Sequence, residues 1–402
     1  MKRVQLIYFD AGGGHRAAAV ALERQIAQCG LPWSVGRVNL FAALDPQDLF
    51  LRLTGMRPES YYNKRLASGW TAGLERELKI LQGMIRLGHD AMVRRLQRHW
   101  METEPDMVVS LIPNFNRALC QSLGSALPGV PFVTILTDFA DFPPNFWIEP
   151  GQPQHVICGT ARAVQQARDL GVAECRIHAT SGMIVRPEFY RPRVLDRSAE
   201  LLELGLDPDR RTGIVMFGGH GSRAMLDIAR RLDSTQLILV CGHNGALARA
   251  LGNLRSTAPR HVVGFTSDVV RYMELSDFFI GKPGPGSLSE SLVQGLPVIV
   301  VHNAWTMPQE RYNAQWIREN DFGVVLKSFR SVDQAVAQVL DRLDELRMNI
   351  RRTPNRAIFE IPAILAGVLL ASDYAAPAHL LESDLAAIGS EASTPRVHMP
   401  SA

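Results

Sequence analysis

The chain is poor in cysteine, in unbalanced charge and in long apolar runs, and each shortage removes a class of protein. Five cysteines (Cys29, Cys120, Cys158, Cys175, Cys241) are spread over 402 residues, an odd number with no pair at metal-ligand or redox spacing. That excludes a zinc ribbon, a dithiol centre or a disulfide scaffold as the organising feature and fits a reducing compartment. Lys plus Arg number 43 and Asp plus Glu 40, a formal net charge of +3, so charge makes no global case for a nucleic-acid partner. The longest apolar stretch near the end, Ala357 to Ala371, holds Glu360 and Pro362 and falls short of the roughly 20 residues of a membrane span. The start, Met1-Lys2-Arg3-Val4, passes at once into a short apolar run ending at Asp10, too short for a secretory leader and suited to a buried strand. No Gly-Lys-Ser or Gly-Lys-Thr occurs, which removes a Walker loop. The expectation is a cytoplasmic protein whose membrane contact is peripheral, on the inner face of the cell membrane.

What is present is an alternation of short apolar runs with amphipathic segments, occurring twice. In the first series the strand candidates are Val4–Phe9, Met107–Ile112, Phe132–Leu136 and His155–Cys158; in the second they are Gly213–Phe217, Leu237–Cys241, His261–Gly264, Phe278–Ile280, Val298–Val301 and Val324–Leu326. Fully apolar strands separated by helices predict parallel sheets covered on both faces. The fold class is therefore α/β, with two Rossmann-like doubly wound domains facing across a cleft. Residues 1–186 form the first domain, 187–209 a Pro- and charge-rich linker, and 210–355 the second domain. A long helix is expected from Val332 to about Arg351, a further helix over 356–372, and a disordered tail over 373–402. Within the first domain, about 49–100 reads as a basic helical insertion, with Arg52, Arg57, Lys64, Arg94, Arg95 and Arg98 among its cations and Leu78, Leu81, Ile85 and Leu87 between them. That mixture suits an anionic membrane surface; the plainer reading is a solvated helical face.

Chemistry concentrates where strands give way to helices, because ligands of such sheets bind beyond the carboxyl ends of the strands. Gly281-Lys282-Pro283-Gly284-Pro285-Gly286-Ser287-Leu288-Ser289-Glu290 follows one strand and opens a helix. Glycines admit a close ligand, helix N–H groups favour phosphate, and Lys282 supplies a cation. Glu290 can accept from a ribose diol, although Ser287 to Glu290 also fits a capping box. Gln309 and Glu310 follow the next strand and suit sugar hydroxyls; an acidic first turn of a helix is the alternative. Phe217-Gly218-Gly219-His220-Gly221 is a turn in which Gly218 and Gly219 could admit a pyrophosphate, without dinucleotide spacing. Asp10-Ala11-Gly12-Gly13-Gly14-His15-Arg16 does the same in the first domain and places His15 at the cleft, where an imidazole can move a proton. Gly13, Gly14 and Arg16 are the candidate acceptor contacts. Thr137-Asp138 ends a strand and precedes Phe142-Pro143-Pro144-Asn145-Phe146-Trp147; Asp138 is a second candidate base or a loop cap, and the aromatics are expected to form an apolar lip. Asp207-Pro208-Asp209 precedes a strand and reads as a turn, so no metal site is expected.

These segments, in this order and from about Val4 to Ala371, resemble the monogalactosyldiacylglycerol synthase and processive diacylglycerol glucosyltransferase family, glycosyltransferase family 28-like. The resemblance rests on Gly12-Gly13-Gly14-His15-Arg16-Ala17, Thr137-Asp138, Val185-Arg186-Pro187-Glu188-Phe189, Lys282 to Ser287 with Glu290, and Gln309-Glu310. It implies a GT-B fold and inverting hexose transfer from UDP-galactose or UDP-glucose to diacylglycerol or a related lipid, with no cofactor beyond the sugar nucleotide and no catalytic metal. It also implies Glu290 on the ribose, Gly284, Gly286 and Ser287 near the diphosphate, Phe265 and Thr266 near the uracil, Gln309 and Glu310 on the sugar, and His15 and Asp138 on the acceptor side. The chain departs from the family at Phe142-Pro143-Pro144, where a His is usual, at Ile184, and at His220 and Ser222. A UDP-sugar epimerase or a non-catalytic UDP-sugar-binding protein is the alternative.

Overall fold

The computed structural model describes residues 1–10, 14–45, 52, 74–191, 193 and 196–375. Two six-stranded sheets carry the chain, each wholly parallel. The first contains β1 (Lys2–Tyr8), β2 (Trp33–Asn39), β3 (Met107–Ser110), β4 (Phe132–Ile135), β5 (His155–Cys158) and β6 (Ile177–Ala179), in the order β2-β1-β3-β4-β5-β6. The second contains β7 (Thr212–Met216), β8 (Gln236–Val240), β9 (Arg260–Val263), β10 (Phe278–Gly281), β11 (Val298–Val301) and β12 (Gly323–Leu326), in the order β12-β11-β10-β7-β8-β9. The strand order reverses between β1 and β3 in one sheet and between β7 and β10 in the other, and such switch points open the crevices in which α/β sheets hold ligands.

Central strands are buried along their whole length: β3, β4, β7, β8 and β10 have no exposed position. Apolar clusters cover both faces of each sheet. Leu6, Leu22, Val109 and Ile135 belong to one face of the first and Ile7, Leu96, Trp100 and Leu119 to the other. In the second sheet, Ile238 and Phe279 lie in one cluster and Leu239 and Phe278 in the other. The expected strands appear within a residue or two. β2 and β6 are additional; both are edge strands with half-exposed residues, so neither shows a continuous apolar run.

Three further features differ from the sequence expectation. The helix expected from Val332 to Arg351 is two helices, Val332–Asp341 and Leu343–Arg351, joined at Arg342, whose guanidinium is drawn to Asp321 and Glu345. The connection 187–209 contains a helix, Arg197–Glu203, capped by Asp196 accepting from Ser198 and Ala199. Its Leu201, with Phe189 and Leu206, is buried in the second domain's core. The last described helix, Ala357–Ala375, returns to the first domain. There Ile358, Ile361, Leu365 and Val368 pack with Val4, Leu6, Leu22 and Ile26. Ser181 and Glu360 clamp the crossing: the Ser181 amide and hydroxyl donate to the Glu360 carboxylate at 2.8 and 2.7 Å. Among the described residues no helix is long and apolar enough to cross a membrane. Most of the stretch 49–73 and the tail from 376 lie outside the described residues.

Candidate active site

At the carboxyl end of β10 the backbone is crowded. A Cβ at Gly281 would lie 2.4 Å from the Met216 carbonyl and 2.5 Å from the Phe279 ring, so only glycine fits between β10 and β7. Gly284 is the N-cap of the helix Pro285–Val293 and no side chain caps it. Pro285 has no N–H to leave unpaired, and the first internal bond is Leu288 N–H to the Gly284 carbonyl at 3.1 Å. The Gly286 and Ser287 amides therefore belong to the open, positive end of the helix. The capping box read from Ser287 to Glu290 does not form. Proline fixes the helix start two residues earlier, so Ser287 is already inside, donating its hydroxyl to the Gly284 carbonyl at 3.3 Å.

Lys282 and Glu310 meet above this turn. The Lys282 ammonium donates to Glu310 Oε1 at 2.7 Å, with the Glu310 side chain 5% exposed. Buried Asn313 ties the same loop down, donating to the Pro283 carbonyl at 2.8 Å. Gln309, half-buried beside Glu310, has its amide 4.0 Å from the Met307 sulfur. Glu290 faces the chain crossing: its Oε1 is 3.4 Å from Arg186 Nε, and burial pushes its carboxyl above the usual range.

The remaining second-domain residues follow β7 and β9. Gly218 has φ +72, and a Cβ on Gly242 would lie 2.2 Å from the Gly219 carbonyl; the close approach at this turn is backbone to backbone. Phe265 is 64% exposed and stacks on His243 at 3.9 Å and 18°. Thr266 accepts the Asp268 amide at 3.0 Å.

Across the cleft, the first turn of the helix Gly14–Gln28 brings His15 to the residue after β3. The Leu111 carbonyl lies 2.8 Å from His15 Nδ1 and the Thr137 hydroxyl 3.2 Å from the same nitrogen. A carbonyl can only accept, so Nδ1 carries the proton and Nε2 the lone pair. The ring sits edge-on to Phe9 at 4.8 Å and against Trp147 at 5.9 Å. Burial lowers its pKa to about 4, the Leu111 contact opposing only in part. Gly13 lies outside the described residues; Gly14 opens the helix Gly14–Gln28. Arg16 is exposed, 3.6 Å from Asp10.

Asp138 is buried, and its Oδ2 accepts the Trp147 indole N–H at 3.0 Å. Burial raises its pKa to about 7; the Trp147 bond and Lys282 pull it down, Glu310 and Asp141 push it up. Lys282 and Glu310 belong to the other domain, so the two halves of the cleft are in electrostatic contact here. Trp147 and Asp141 are the residues that sequence reasoning undervalued. Asp141 accepts the amides of Asn145, Phe146 and Trp147 at 3.1, 2.9 and 2.7 Å. Gathering these amides turns Phe146 and Trp147 inward, to 6% and 0% exposure. Phe146 and Trp147 therefore do not join the expected apolar lip, and Trp147 walls His15 and Asp138 instead. An Asp three residues after Asp138 was the available signal.

Asp138 gives a stability prediction with a definite sign. A carboxyl whose folded pKa is raised from 3.8 to about 7 favours the protonated folded state. Its contribution is fully present below pH 4 and is lost as pH rises through 7. Asp138→Asn should therefore be more stable than wild type at pH 8, by up to about 4 kcal/mol, and equally stable near pH 4. Urea unfolding at the two pH values checks this; equal stability at both contradicts the buried carboxyl.

Comparison with known proteins places this geometry. Residues 214–364 match the glycosyltransferase family 28 C-terminal domain. Over 373 residues the chain is 28% identical to a rice protein, the probable monogalactosyldiacylglycerol synthase 2, chloroplastic, of Oryza sativa subsp. indica, covering 84% of this chain and 73% of that one. Among solved structures, MurG of Acinetobacter baumannii superposes with a TM-score of 0.57 at 14% identity, over 91% of this chain and all of its own. A UDP-N-acetylglucosamine 2-epimerase follows the same fold at TM-score 0.53 and 12% identity, over 93% and 97% of the two chains. Such structural likeness shows the GT-B fold alone, since a transferase and an epimerase share it. The family 28 domain and the similarity over most of the chain decide between them: this protein is a glycosyltransferase with a family 28 C-terminal domain, similar over most of its length to monogalactosyldiacylglycerol synthases.

Proposed function

We propose that the enzyme moves a hexose, galactose or glucose, from a UDP-sugar to the hydroxyl of a lipid, diacylglycerol first among acceptors, with inversion at the anomeric carbon. The observation that carries this reading is the pairing across the cleft. Lys282 and the open helix start at Gly284–Ser287 lie on one side; Asp138, within their field, and His15 lie on the other. One side suits a leaving diphosphate and the other suits an attacking alcohol.

In this mechanism His15 Nε2 takes the alcohol proton while the oxygen attacks the anomeric carbon from the face opposite the diphosphate. Charge on the departing UDP is met by Lys282 and the amides of Gly286 and Ser287, in place of a bound metal. Gln309 and Glu310 hold the sugar, and the exposed Phe265 face with Thr266 takes the uracil. Glu290 takes the ribose once Arg186 releases it. Gly218 and Gly219 flank the phosphates, and Gly13, Gly14 and Arg16 the acceptor. Asp138, whose carboxyl burial raises to about 7, is the rival base for the same alcohol proton.

The acceptor would be met at a membrane surface. The helix Leu74–Leu87 exposes Ile80 at 61%, Met84 at 57% and Leu87 at 91%, one helical stripe beside Arg86. The test supplies UDP-galactose or UDP-glucose with vesicles holding diacylglycerol, in anionic or neutral lipid, and reads hexosylated lipid by mass spectrometry. Product is expected from one donor, more on anionic vesicles. No glycolipid from either donor on any vesicle defeats the reading.

A further inference from the structure

A group of guanidiniums gathers at the amino ends of the second sheet. Asp277, the residue before β10, is 4% exposed. It accepts Arg197 at 3.0 Å, Arg211 at 3.0 Å, Arg347 at 3.2 Å and the Thr212 amide at 2.9 Å. Four donors fill the lone-pair capacity of one carboxylate, so one negative charge stands against three positive ones. Asp277 and its three arginines line a cavity of about 760 Å³ between the domains, which also takes in Arg351 and Arg356, with Glu274 the other acid. Thr160 and Ser181 line it from the first domain, and Tyr190 and Asn355 from the two segments where the chain crosses. The Tyr190 hydroxyl is buried with no hydrogen-bond partner among the described residues, and Arg356 lies within its electrostatic range.

One guanidinium would neutralise Asp277. Three, with two more on the same walls, leave a cationic surplus around a shared space; water screens the outer members, Arg211 being 61% exposed, but the surplus still draws anions to this cavity. Planar guanidinium forks match phosphate oxygens. Asp277 and Lys282 stand at opposite ends of β10, about 16 Å apart along an extended strand, so one diphosphate cannot serve both places.

We propose that this cavity is a second anion site, for a phosphate-class dianion, distinct from the sugar-nucleotide cleft, and that its occupant braces the two domains where the chain crosses between them. Binding there draws Arg211, Arg347 and Arg351 of the second domain toward Thr160 and Ser181 of the first and fixes the angle of the cleft.

The test titrates inorganic pyrophosphate by calorimetry, at constant ionic strength, into wild type, Lys282→Ala, Arg351→Gln and the double variant Arg211→Gln with Arg347→Gln. Saturable binding is expected in wild type and in Lys282→Ala. It should weaken by roughly tenfold or more in the double variant, which loses two charge-assisted contacts, and measurably in Arg351→Gln. If the double variant fails to fold, Arg351→Gln decides, because Arg351 is not one of the three on Asp277. Displacement by a micellar phosphomonoester lipid assigns the site to a headgroup; displacement by soluble phosphate alone assigns it to the free anion. Absence of saturable binding beyond a chloride control overturns the proposal. So does binding that Lys282→Ala abolishes and the arginine variants keep.

Discussion

His15→Ala should lower kcat by about 10²–10⁴-fold, the usual contribution of a positioned base, with little change in UDP affinity. The reason lies in the hydrogen bond at its other nitrogen. Leu111 fixes the proton on Nδ1, so the imidazole has one tautomer and Nε2 is always the accepting atom. Burial near Phe9 and Trp147 holds the pKa at about 4, so the ring is neutral throughout the physiological range. The rate should therefore be flat from about pH 5 upward and fall only as pH drops through 4. Asp138, raised to about 7, would impose a different profile, with activity rising through neutrality. The pH dependence of kcat/KM thus separates the two candidate bases. A His15→Ala enzyme within a few-fold of wild type, or a limb at pH 7 that Asp138→Asn removes, would transfer the role to Asp138.

Lys282→Ala is expected to lower kcat/KM by about 10²–10³-fold, the scale of removing one preorganised group from a developing charge. The residue neutralises Glu310, which is 5% exposed, and stands at the mouth of a helix start with no side-chain cap. Without the ammonium, Glu310 faces the leaving diphosphate as an uncompensated anion, so repulsion is added to the lost attraction. Lys282→Ala with Glu310→Gln should recover part of the loss, because the repulsive partner is gone. Steady-state kinetics on the single and double variants measures this. Unchanged kcat/KM in the single variant would remove Lys282 from the phosphate end.

The sequence showed the parallel sheets because fully buried strands are continuous apolar runs, and β3, β4, β7, β8 and β10 are buried throughout. It missed β2 and β6 because edge strands lack that pattern. The glycine-marked turns were visible as turns. What required a glycine was less so: Gly281 is fixed by Met216 and Gly242 by Gly219, contacts between segments separated in sequence. Phe142 to Trp147 misled because composition cannot tell which way an aromatic faces. Asp141 decides that by collecting three amides.

Local chemistry therefore determined the two βα series, the turns that end them and the residue types placed at the cleft, since apolar periodicity, glycine and proline act over a few residues. Only tertiary structure decided that Ala357–Ala375 completes the first domain, that Arg186 holds Glu290, that Asp138 shares a field with Lys282 and Glu310, and that three arginines meet on Asp277. Each of these joins segments far apart in the chain. Such pairs leave no mark in any short window, because their energy arises only when folding removes water from between them.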